Sequence, residues 1–256
     1  MFGSILFDSA IVAGLFHLAL PMVVKATYRF SARCKETKLS LEELPADAAN
    51  LVAARVPHLQ ALGFQCVGCS DFGKLSMETR TIVVSFTHAQ TQELANIWVS
   101  LAAGAASSYL EFCTLTSGGI SLETSSNGIL PLAPENPENR VFRFPEISQV
   151  AELHRVHRRI VAKYADATWI QPEQQSSRIG RITRTVANYG PRLCKLGYLQ
   201  LSENGESYGL TWKGAFRVAW SGMWPVSAMR RSMARYRMQS ELRSLEIHGT
   251  ARLQKA

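Results

Sequence analysis

Thr79-Arg-Thr-Ile-Val-Val-Ser-Phe-Thr-His88 decides the reading of the fold. It is a run rich in β-branched and aromatic residues that ends at the turn-like His88-Ala89-Gln90, the pattern of a strand. The same texture recurs on both sides, in Phe64–Phe72, Leu94–Ala102, Ser108–Thr116 and Ile120–Thr124. The separators are Asp71-Phe72-Gly73, Gly104 and Gly118-Gly119, all turn formers. Successive strands joined by short turns predict an antiparallel meander, one face of which has to be covered by helices. Upstream, the alanine-rich Pro45–Ala54 is helix-compatible, Pro57 breaks or restarts the helix before Leu62, and Gly63 stops it. Residues 45–126 therefore read as one α+β domain.

Downstream the period changes. Residues 127–145 carry Pro131, Pro134, Pro137 and Pro145 and read as an extended linker. From Glu146 a helical stripe begins: Ile147, Val150, Leu153, Val156, Ile160 and Val161. His154, His157, Arg155, Arg158 and Arg159 are expected on its solvated faces. The polar Gln171–Ser177 separates this helix from a second, Ile179–Leu196, expected to be disturbed at Gly190-Pro191. Residues 146–256 form a basic helical region with a β-hairpin.

The N-terminus adds a further expectation. Ile5–Val24 is apolar apart from Asp8 and is followed by Lys25, Arg29, Arg33, Lys35 and Lys38. Twenty such residues suffice for a helix across a hydrocarbon core roughly 30 Å thick. A basic flank on the C-terminal side alone predicts the N-terminus outside and the rest of the chain cytoplasmic. On this reading residues 1–24 are a transmembrane anchor at the inner (plasma) membrane, and residues 25–44 a basic connector. The order of charges is the reverse of a cleaved signal. The alternative is a buried N-terminal helix, since Asp8, Ser9 and His17 dilute the run.

At 46% apolar and 19% charged, the 256 residues lack the composition of a disordered chain. The net charge of +8 is unevenly placed: residues 1–150 hold 10 Lys/Arg against 13 Asp/Glu, and residues 151–256 hold 18 against 7. Partners of matching sign are anionic lipid, nucleic acid or an acidic protein. Cys34, Cys66, Cys69, Cys113 and Cys194 are odd in number and scattered, as reduced thiols are. The lone Cys66-Val-Gly-Cys69 has redox spacing but lies in strand-like sequence, and without a second pair it makes a poor zinc site. No phosphate loop, dinucleotide fingerprint, GxSxG or HExxH occurs. No catalytic residue, cofactor or metal is therefore assigned.

Leu193-Cys-Lys-Leu-Gly197-Tyr198-Leu-Gln-Leu201 leads through Ser202-Glu-Asn204-Gly205-Glu to Tyr208-Gly-Leu210-Thr211-Trp-Lys213-Gly214. This is a helix end, a strand, an Asn-Gly turn, a second strand and a helix start, with Thr211 placed to cap it. The segment resembles the wing of winged-helix regulators. That resemblance implies a preceding recognition helix, which makes Arg178, Arg181 and Arg184 candidate nucleic-acid contacts. Glu203 and Glu206 at the wing tip depart from the pattern, because they repel phosphate. The string YGLTWKGA at 208–215, with Trp220 and Met223-Trp224-Pro225 after it, also looks like uncharacterised bacterial single-pass membrane-anchored proteins.

The last helix, Val226–Ile247, follows an aromatic stretch. Trp220, Trp224, Arg230, Arg231, Arg235 and Arg237 are candidate lipid-surface residues, since indole suits the headgroup level and guanidinium reaches phosphate. The competing reading packs this helix on its own domain. The functional expectation is a membrane-anchored cytoplasmic interaction or scaffold protein, meeting lipid through residues 5–24 and through the basic helix, with a protein partner of unknown kind. A winged-helix nucleic-acid-binding regulator is the first alternative, and an enzyme with a site built from dispersed residues is the second.

Overall fold

The computed structural model describes residues 17, 19–33, 35–76, 79–91, 93–116, 119–129, 134, 136, 138–164 and 175–253. The chain is α+β and divides into two compact units. The larger comprises Cys34–Thr185 and Arg235–Ala256, the smaller Met1–Arg33 and Val186–Ala234.

The larger unit is built on strands β2 (Thr37–Leu39), β3 (Phe64–Ser76), β4 (Thr79–His88), β5 (Leu94–Ala102), β6 (Ala105–Leu115), β7 (Ser121–Ser125) and β8 (Asn139–Arg143). Neighbours in space follow the chain from β2 to β8, antiparallel throughout except for β8, which lies parallel to β7. Strand alternation gives the sheet two faces of different character. Ile82, Val84 and Phe86 on β4, Ala95, Ile97 and Val99 on β5, and Leu110 and Phe112 on β6 form the core. Helices α2 (Ala46–Ala53), α3 (Val56–Ala61) and α4 (Val150–Tyr164) pack on this face. They contribute Ala48, Val52, Leu59, Leu153, Val156 and Ile160, and Met238 and Leu245 join the same core. Fully burying one such leucine or phenylalanine stabilises by about 1.5–3 kcal/mol relative to exposure.

The opposite face is polar. The register aligns Ser85, Asn96, Glu111 and Ser125 in one row across four strands, with Trp98 beside Tyr109 in the next. β8 lies inside the segment read as a linker, and β2 inside the segment read as a connector.

In the smaller unit, residues 19–27 form helix α1, followed by β1 (Arg29–Ser31). Helix α5 (Gln175–Lys195) enters this unit at Val186 and is followed by β9 (Leu199–Leu201), β10 (Ser207–Leu210) and α6 (Trp212–Gly222). β10 lies between β1 and β9, antiparallel to both. Helix α7 (Val226–Leu253) starts here and ends in the larger unit. α5 runs without a break through Gly190-Pro191. The proline removes one helical donor, and Gly190 before it has no Cβ to crowd the ring.

The N-terminal expectation is corrected. Residues 1–16 and 18 lie outside the described residues, and the described helical residues here are 17 and 19–27. Among the described residues no helix is long and apolar enough to cross a membrane. Pro21 on α1 is buried, and the Trp220 indole N–H reaches the His17 carbonyl at 3.4 Å, so this stretch packs within its own unit. The transmembrane helix at Ile5–Val24, the single-pass topology and the inner-membrane placement drawn from it do not stand.

Candidate functional site

The smaller unit concentrates charge. It holds nine Lys/Arg against three Asp/Glu, whereas the larger unit holds 19 against 17. Most of the net +8 therefore sits on the unit that holds strands β1, β9 and β10.

This part of the sheet is assembled from short-range chemistry. Asn204 makes the turn between β9 and β10: its side-chain oxygen accepts from the Glu206 N–H at 3.1 Å and from the Ser202 hydroxyl at 2.6 Å. Gly205 follows at φ 68°, the left-handed region the turn needs. Thr211 caps α6, its hydroxyl accepting from the Gly214 N–H at 3.1 Å. Lys213 ties the start of α6 to the end of α5 through the Leu196 carbonyl at 2.8 Å. One face of the sheet, through Tyr208, abuts α5 at Gly190. The other presents the rows Arg29–Gly209–Gln200 and Ser31–Ser207, with Ser202 beyond.

The candidate nucleic-acid residues lie on the N-terminal half of α5, which belongs to the larger unit. The side chains of Arg178 and Arg181 lie outside the described part. Arg184 is exposed, its Nε donating to the Gly180 carbonyl at 3.3 Å. Thr183 beside it points elsewhere, giving its hydroxyl to Glu36 at 2.7 Å.

The candidate lipid-surface residues are divided between the units. Trp220 and Trp224 are 45% and 77% exposed, and Trp212, Phe216 and Trp220 form a ladder along α6 with centroids 6.2 and 5.1 Å apart. Arg230 is partly buried near Arg217, and burial followed by that like charge lowers its pKa. Arg231 is exposed, 3.5 Å from the Ser227 hydroxyl. Arg235 and Arg237 fall in the larger unit, Arg235 at 3.6 Å from Glu146 and Arg237 exposed. Beyond them Met238, Leu242 and Leu245 pack on the core, so this part of the helix is structural.

Two buried polar networks in the larger unit escaped the sequence reading. His157, placed on a solvated face by its arginine neighbours, is fully buried. Its Nε2 and Nδ1 lie 2.9 Å from the hydroxyls of Thr114 and Thr124. Burial pushes its pKa down to about 3, so the ring is neutral. Next to it, Glu93 is 1% exposed and meets His154 Nε2 at 2.9 Å and the Arg158 guanidinium. Burial alone would raise this carboxyl, but hydrogen bonds from His154 and Arg158 outweigh it and hold the pKa at about 2.

On the polar face of the sheet, Glu111 accepts from the Trp98 indole at 3.2 Å, and Trp98 stacks on Tyr109 at 5.9 Å. Burial and the nearby Glu123 charge raise the Glu111 pKa well above the carboxylate range. Cys69 is also pushed up, to about 11, by burial and then by Cys66, which leaves it a protonated and unreactive thiol. Among the described residues no three His, Cys, Asp or Glu side chains are grouped to hold a metal ion.

Comparison of the chain with family models, with curated proteins and with solved structures returns no match.

Proposed function

We propose that the protein is a nucleic-acid-binding regulator of the winged-helix type, with the smaller unit as its binding module. The order β1–β10–β9 carries the reading: a strand contributed from 180 residues upstream pairs with the hairpin that directly follows α5. A hairpin alone is a common device. A helix, a returning strand and a wing, in a unit with nine cations against three anions, is the arrangement that sets a basic module against phosphates. Glu203 and Glu206 keep the wing tip off the backbone, which leaves contact to the helices and strand faces. The scaffold reading rested on the membrane anchor, and what supports it now is the exposed aromatic ladder of α6.

The test needs no known operator. Affinity of the full chain for a random-sequence duplex is measured against salt concentration. A linear fall in log K with log salt is expected, and its slope counts the phosphates neutralised. Changing Lys195 and Arg217, both exposed in the smaller unit, to glutamine should flatten the slope by about one unit for each that contacts phosphate. Absence of salt-sensitive binding at low ionic strength would overturn the proposal.

A further inference from the structure

The smaller unit contains a cleft of about 120 Å³ lined by Lys25, Arg29, Gln200, Ser202, Ser207, Gly209 and Leu210. Its floor is the outer face of strands β1, β10 and β9, where Arg29, Gly209 and Gln200 are register partners on adjacent strands. Gly209 leaves the space over β10 empty: an added Cβ would sit 3.6 Å from Arg29 Nη1. Lys25, near the end of α1, precedes Arg29 of β1 and reaches toward the Trp212 ring, 5.2 Å from its centroid. Arg29 spends Nη1 on the carbonyls of Lys25 and Tyr28, both at 3.0 Å, which fixes the guanidinium at the cleft wall. The two serine hydroxyls are held 3.2 Å apart at the other end. Among the described residues no carboxylate lines the cleft; Glu206, on the turn beside it, is held there through its backbone N–H.

The geometry points to this cleft as a binding site for a phosphate-type oxyanion. Two cations and an amide converge on a volume that accommodates one tetrahedral anion with its first waters, with the serine pair, whose protons go to Ser202 and Asn204, as its polar border. A cation would meet Lys25 and Arg29, and an apolar group would leave these two charges unanswered at the cleft wall. Such an oxyanion is either a backbone phosphate of the nucleic acid proposed above, on which reading this source rests, or the phosphate of a small phosphorylated molecule.

The experiment uses the full chain and inorganic phosphate. The backbone amide resonances of Gln200 and Gly209 are followed during a phosphate titration, with chloride at matched ionic strength as the control. Saturable shifts in phosphate and none in chloride are expected. Gln200→Glu, an exposed near-isosteric change that places a like charge at the cleft, should weaken phosphate binding at least tenfold. Lys25→Gln gives a second variant that removes no backbone hydrogen bond.

The same two variants are then tested on duplex. If the wild-type chain binds duplex and both variants lower the salt slope by about one, the cleft takes backbone phosphate. Phosphate saturation with no duplex binding supports the cleft for a phosphorylated small molecule and overturns the nucleic-acid reading. Shifts that fail to saturate, or that chloride reproduces, overturn the cleft and leave the duplex result to decide the function alone.

Discussion

Gly190 of α5 faces the Tyr208 ring of β10 with no room for a side chain between them: a Cβ built on Gly190 falls inside van der Waals contact with Cε2 and Cδ2 of that ring. The helix and the wing strand touch backbone to ring. A glycine in mid-helix is unfavourable by roughly 1 kcal/mol relative to alanine, so its presence here reflects the contact and not the helix.

Gly190→Ala sets these two effects against each other. The helix gains about 1 kcal/mol in propensity, while a strained contact with a packed ring costs about 1–3 kcal/mol. A net loss is expected in the urea midpoint. Combining it with Tyr208→Ala, which opens the space, should turn the alanine from harmful to neutral or helpful. Equal effects of Gly190→Ala in both backgrounds would show that the contact does not constrain the helix.

What the sequence revealed follows the length of each element. β4 and β5 are ten and nine residues long, enough for alternation and composition to stand out. β1 and β2 have three residues each, and β8 has five in a proline-rich segment; such lengths carry no period, whereas the equally short β9 is legible from the Asn-Gly turn after it. The apolar N-terminal run was misread because a packed helix and a membrane helix draw on the same residues, and in the described part Pro21 is buried within its own unit. His157 was misread for the opposite reason: Arg155 and Arg159 near it are exposed while its own position, four after Leu153, lies on the buried stripe. The anion cleft was illegible, because Lys25 and Arg29 meet Gln200 only after the larger unit has been threaded between them.

His157 sets a pH dependence with a definite sign. Its pKa is lowered on folding to about 3, so the unfolded chain binds the proton more readily. Stability should fall as pH drops below about 6.5, by at most about 1.4 kcal/mol per pH unit from this group. His157→Gln retains polar reach to Thr114 and Thr124 and cannot titrate. Its urea midpoint should be lower at pH 7 but flat between about pH 6.5 and 4.5 where the wild type slopes. A slope unchanged by the substitution would mean the acid sensitivity lies elsewhere.

Glu93 acts in a lower window. Its pKa is depressed to about 2, so its contribution is fully present above the unfolded carboxyl value, about 4.3, and is lost as pH falls toward 2. Glu93→Gln removes the charge that His154 and the half-exposed Arg158 share, and a loss of about 1.5–3 kcal/mol at pH 7 is expected. The gap between variant and wild type should close at strongly acid pH. If it stays constant down to pH 2, the carboxylate is not the group that matters.

Glu111 has the reverse sign. Its raised pKa means that the folded chain holds a proton which the unfolded chain releases. The stabilisation is complete below the unfolded carboxyl value and is lost as pH rises through the raised one. Glu111→Gln resembles the protonated form and cannot ionise beside Glu123, so the variant should match the wild type in acid and exceed it in mild alkali. The indole of Trp98, 3.2 Å from the Glu111 carboxyl, supplies a separate readout. Wild-type tryptophan emission should show a titration step above the ordinary carboxylate range, absent in both Glu111→Gln and Trp98→Phe. If the step survives in Glu111→Gln, another group near Trp98 is titrating and the proton does not reside on Glu111. If it vanishes there while the alkaline loss of stability remains, the ionisation is real but is not what destabilises the sheet.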